Sequence, residues 1–107
     1  MKARLLFKKK GAVALKSGNV ITIFMDCHQI GELKTGFQNA FTFSWIAFDP
    51  ESLQRRVLMD QHRGRPCHLH IEEQEKVNLD QPQSIDEAIK IFMAEVQKYF
   101  GELAEEI

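Results

Sequence analysis

Between Val20 and Cys27 apolar and polar side chains alternate, with Ile21, Ile23 and Met25 on one side and Thr22, Phe24 and Asp26 on the other. That period of two is the mark of a half-buried strand, because successive residues of a strand point to opposite faces. Upstream, Ala3 to Leu15 reads as a second strand interrupted by Gly11, and Lys16-Ser17-Gly18-Asn19 between the two has the residues that tolerate turn dihedrals. A β-hairpin is expected. His28 to Asn39 follows neither period and reads as a loop. Phe41 to Phe48 then places Phe41, Phe43 and Trp45 on one face against Thr42 and Ser44, the aromatic enrichment of a strand. Asp49-Pro50-Glu51-Ser52 has turn chemistry and Leu53 to Asp60 reads as the return strand of a second hairpin. After the polar loop from Gln61 to Pro66, Cys67 to Glu72 alternates again, with Cys67, Leu69 and Ile71 opposite His68, His70 and Glu72.

The period changes near the end of the chain. Ser84-Ile85-Asp86-Glu87 fits the capping box that opens a helix. Ile85, Ala88, Ile89, Phe92, Val96, Phe100 and Leu103 recur at steps of three and four, one apolar stripe able to cover a sheet face. Gly101 is a candidate C-cap, and the acidic residues beyond it lie at the helix end whose dipole disfavours anions, so 101–107 is expected to fray. The fold class implied is α+β: one domain over residues 1–107, with an antiparallel sheet of about five strands covered on one face by a C-terminal amphipathic helix.

With 107 residues and 44% hydrophobic content, one core is the natural expectation. The densest apolar run, Val20 to Met25, is far too short for a membrane helix. Lys8-Lys9-Lys10 cuts off the apolar stretch that a signal peptide would need after Lys2 and Arg4. A cytoplasmic location, no membrane partner and reduced thiols at Cys27 and Cys67 are expected. Charge changes the picture more than the net value of -1 implies. Residues 1–65 carry eleven Lys and Arg against five Asp and Glu, whereas 66–107 carry three against ten. Such asymmetry points to a charged partner or to mutual neutralisation of the two halves.

Chemistry concentrates between Asp60 and Glu72. Residues two apart on a strand share a face at roughly 6.6 Å spacing, so His68, His70 and Glu72 are expected to form a polar ridge, with Asp60, His62, Arg63 and Arg65 just upstream. One reading is general acid–base work on a phosphodiester, His68 or His70 moving protons and Arg63 and Arg65 holding the phosphate. RNA suits it, since the 2′-hydroxyl is an internal nucleophile that needs only a base and an acid. A second reading takes His68, His70 and Glu72 as ligands of a metal, although no metal or other cofactor is expected. A third is structural, a solvated strand face whose imidazoles pair with their neighbours. No Gly-rich nucleotide loop is present in the sequence. Cys67 and His68, adjacent on a strand, point to opposite faces and do not form a nucleophile–base pair. The lysine run can attract a nucleic-acid backbone without sequence preference.

Taken together, Lys2-Ala3-Arg4-Leu5-Leu6-Phe7, a hairpin turning at Ser17-Gly18, Met59-Asp60-Gln61-His62, then His68-Leu69-His70 and a short C-terminal helix resemble the TumE-type toxin family. These are small bacterial proteins encoded beside helix-turn-helix antitoxins. The chain departs from the family at Gln61, where asparagine usually follows the aspartate. The resemblance implies a growth-inhibiting toxin neutralised by such a partner, with Asp60, His68 and His70 as the positions carried over. RNA as target and a homo-oligomeric state stand beside it as expectations. A basic antitoxin would find its complement in the acidic helix face and tail. The alternatives are a non-catalytic interaction module and a small metal-binding protein.

Overall fold

The computed structural model describes residues 4–29, 41–61, 67–72, 74, 77–79, 82 and 84–104. Six strands form one antiparallel sheet in which spatial order follows chain order: β1 (Arg4–Ala14), β2 (Val20–Gln29), β3 (Phe41–Asp49), β4 (Ser52–Gln61), β5 (Cys67–Ile71) and β6 (Val77–Leu79). The helix α1 (Ile85–Phe100) follows. The α+β class, the antiparallel sheet and the covering C-terminal helix are as the sequence predicts. The sixth strand is not. Its three residues, Val77–Leu79, lie in the polar stretch after β5 and pair with Cys67 to Leu69.

Alternation decides which face is buried. Ile21, Ile23 and Cys27 of β2, Phe41, Phe43, Trp45 and Ala47 of β3, Val57 and Met59 of β4 and Cys67 and Leu69 of β5 are all buried, and all are odd-numbered. They meet Ala88, Phe92, Val96 and Phe100 of α1, the buried edge of the predicted stripe. Trp45, with no exposed surface, stacks on Phe43 at 4.1 Å between ring centroids and meets Phe92 edge-on at 5.7 Å. Offset and edge-to-face contacts of this kind favour aromatic pairs beyond simple burial. The indole N–H of Trp45 donates to the Asp26 carbonyl at 2.7 Å, so the buried donor is satisfied.

Helix and hairpin are joined at their ends. Ser84 caps α1, its Oγ accepting from the Glu87 N–H at 3.1 Å. Gly101, at φ 103°, closes the helix and donates to Gln97 O. Beyond it Leu103 bridges Leu15, Lys16 N–H donates to Glu102 O at 2.9 Å, and the Lys16 ammonium meets the Glu102 carboxylate at 2.7 Å. The first residues of the acidic tail therefore lie along the β1–β2 turn. Among the described residues no helix is long and apolar enough to cross a membrane. Cys27 and Cys67 are free and buried, three strands apart; at about 4.8 Å per strand that exceeds the reach of a disulfide.

Candidate functional site on the uncovered face of the sheet

The face opposite α1 carries the even-numbered residues, and the strand register turns them into cross-strand rows. Lys8 pairs with Asp26, Asp26 with Ser44, Ser44 with Asp60, Asp60 with His68 and His68 with Asn78. One row thus crosses the whole sheet with polar residues at every step. The next row is Lys10, Phe24, Ile46, Leu58 and His70. Directly opposed residues in a sheet are close enough for side chains to interact, so Asp60 and His68 meet because β4 and β5 are in this register.

His68 Nδ1 stands 3.5 Å from Asp60 Oδ1. The His70 ring lies 6.3 Å from that of His68, centre to centre, at 87°. One ligating atom from each of Asp60, His68 and His70 can be chosen such that all three lie within 4.8 Å of one another. His68 is 7% exposed, while Asp60 and His70 are half-buried. A carboxylate at this distance stabilises the His68 imidazole when that ring carries a proton. The arrangement offers a buried, oriented imidazole, a second and more accessible one, and an anion to stabilise either when protonated.

Glu72 does not belong to this group. The strand ends at Ile71, and Glu72 takes a left-handed φ of 56° with its N–H donating to Arg56 O at 2.9 Å. That turn sends its carboxylate toward the helix side, where it hydrogen-bonds the Tyr99 hydroxyl and, with burial as the larger cause, raises that phenol. The ridge of His68, His70 and Glu72 expected from the sequence is corrected to His68 and His70 with Asp60. His28 lies in β2, which extends to Gln29 rather than ending at Cys27, and pairs with Thr42, three strands from β5. Gln61, expected in the loop, closes β4 instead, where its amide donates to Phe41 O at 2.9 Å from a buried position. His62, Arg63 and Arg65 lie outside the described residues; the segment that carries them joins Gln61 to Cys67.

Sequence reading did not single out Asp26, Ser44 or Asn78, and it gave the Lys8 run only a nonspecific attraction for a nucleic-acid backbone. Their place in the Asp60–His68 row follows from register alone, which no local motif signals. Asp26 is partly engaged, its carboxylate accepting from the Ser44 N–H at 3.0 Å. Both thiols lie on the opposite, helix-covered face, where burial pushes Cys27 and Cys67 up to about 11. They are poor nucleophiles. A scan against protein-family models finds no match, and neither does a search of curated proteins or of solved structures.

Proposed function

We propose that this chain cleaves RNA by metal-free acid–base catalysis at Asp60, His68 and His70, as the growth-inhibiting member of a toxin–antitoxin pair. The observation that carries the reading is the Asp60–His68 contact with His70 beside it, on the sheet face that α1 leaves uncovered. Lys8 stands in the same cross-strand row, three strand steps from Asp60. A backbone crossing that face would run from a lysine toward the imidazoles. One imidazole takes the proton of a 2′-hydroxyl, the freed oxygen attacks phosphorus, and the other imidazole protonates the departing 5′-oxygen. The products are a 2′,3′-cyclic phosphate and a 5′-hydroxyl. Arg63 and Arg65, in the segment between Asp60 and His68, are the proposed phosphate holders. The resemblance to TumE-type toxins supplies the biological setting.

A second reading is favoured by the ligand types. Two imidazoles and one carboxylate are a set used by zinc and by non-haem iron. The fit is incomplete, because bonds of about 2.0–2.2 Å allow donor atoms to lie at most roughly 4.4 Å apart, less than the 4.8 Å limit that brings these three together. Side-chain rotation would have to close the site. The acid–base reading needs no such closure.

The test is cleavage of a short RNA by purified protein in the presence of a chelator, beside the matching 2′-deoxy strand. Retained cleavage of RNA alone, falling on the order of 10²–10⁴-fold in His68→Ala and in His70→Ala, is the expected result, with relief of growth arrest in cells expressing the same variants. Cleavage abolished by chelator and restored by a divalent ion would replace the first reading with the second. Equal growth of cells carrying wild type and variants would sink both.

A further inference from the structure

The helix does not cover the whole buried face of the sheet. It approaches β3 and β4, and beside it, over β1 and β2, a cleft of about 330 Å³ opens, lined by Phe7, Val13, Ile23, Met25, Ile89 and Met93 with Lys9 at its rim. Five of the six apolar side chains, Phe7, Val13, Met25, Ile89 and Met93, are only half-buried. Along the cleft runs β1, an outer strand of 11 residues with β2 as its partner in the sheet. Lys8, Lys9, Lys10 and Gly11 of β1 are all exposed. An outer strand of this length presents a row of backbone N–H and C=O groups able to pair with another chain.

We infer that this edge receives an extended segment of another protein that alternates apolar and acidic side chains, added to the sheet beside β1. Alternation sets the pattern. In an added strand one set of side chains enters the cleft over Phe7 and Met25, and the other set lies on the face of Lys8 and Lys10. Those lysines select acids. The Lys8 ammonium stands 5.7 Å from the Phe24 ring centre and that of Lys9 5.7 Å from Phe7, so both lie close against the strand surface. The nearest carboxylate by register, Asp26, already accepts a backbone N–H.

A second copy of this chain is a poor occupant. Antiparallel pairing of β1 with itself at full overlap sets Lys9 opposite Lys9 and Lys8 opposite Lys10, because Lys9 is the midpoint of Arg4–Ala14. Six like charges would meet across one interface, and like charges directly opposed in a sheet are destabilising. The same lysines that deter self-association favour an acidic strand. Such a segment would also cover Lys8 and compete with any polyanion on the other face, but the docking itself does not depend on the Asp60 site being catalytic.

The experiment uses the full chain and three fluorescent seven-residue peptides: Glu alternating with Val and Ile, Lys alternating with Val and Ile, and the first peptide N-methylated at alternate residues. The acidic peptide is expected to bind, to weaken as salt is raised, and to perturb the methyl resonances of Met25 and Met93. The lysine peptide and the N-methylated peptide are expected to bind at least tenfold more weakly. In the variant Lys8→Glu/Lys9→Glu/Lys10→Glu, whose substitutions fall on exposed positions, the preference should reverse toward the lysine peptide. Equal binding of the N-methylated peptide would overturn the proposal, since it would show attraction without main-chain pairing. A helical bound peptide, or a dimer of the chain in the absence of peptide, would overturn it in favour of another occupant.

Discussion

At the scale of single residues, Glu72 shows how one backbone dihedral reassigns a side chain. Alternation alone puts it with His68 and His70; a φ of 56° puts it beside Tyr99 instead. Tyr99 is the only tyrosine in the chain, so its titration can be read directly by absorbance. Its phenol is raised first by burial, then by the hydrogen bond that its hydroxyl donates to the Glu72 carboxylate. A folded-state value above the unfolded one favours the neutral phenol, so the stability it contributes is complete below the unfolded value and is lost as pH rises through the folded one. Glu72→Gln is therefore expected to move the Tyr99 transition to lower pH and to leave the proposed RNA cleavage unchanged. A cleavage loss comparable to that of His70→Ala would put Glu72 back in the site. Alternation did correctly separate Cys67 from His68, because it holds as long as the strand does. What it could not show was where β5 stops, since a left-handed residue that is not glycine carries no sequence signal.

At the scale of elements, the clearest signals were those with local causes. Ser84 and Glu87 mark the start of α1 because the cap is made within one turn, and the apolar stripe marks its buried face because period and burial are linked. Ser84→Ala is expected to lower stability by about 1 kcal/mol, measured as a shift in the denaturation midpoint without a change in slope. No shift would mean that the helix start is held by packing alone. The β6 strand was unreadable for the opposite reason. Val77–Leu79 is three residues long, too short to show a period, and it is a strand because β5 offers it a partner. Gln61 was missed for a related reason: its amide is buried only because the Phe41 carbonyl is there to receive it.

At the scale of the whole molecule, the candidate site depends on register through the sheet. Asp60 meets His68 across one strand pair, and Lys8 reaches the same row through three more. Each pairing is constrained by which residues must face α1, so a shift of one residue between any two strands would send a row to the wrong face. Asp60, His68 and His70 could be named as candidates from the sequence; that they come together depends on strand pairing, which the sequence does not display. The two faces divide the work: one is filled with Trp45, Phe43 and Phe92, and the other carries the imidazoles.

Strand order that follows chain order has a consequence for biosynthesis. Each strand finds its neighbour already made, so the sheet can grow in step with translation, one hairpin after another. The covering helix leaves the ribosome after all six strands, and until it arrives Trp45 and Phe43 face water on the growing sheet. A chain released after Pro82 would keep every strand and lose its cover. It is expected to aggregate, with red-shifted tryptophan emission. In the full protein the blue shift of that single indole should report the moment at which the helix settles.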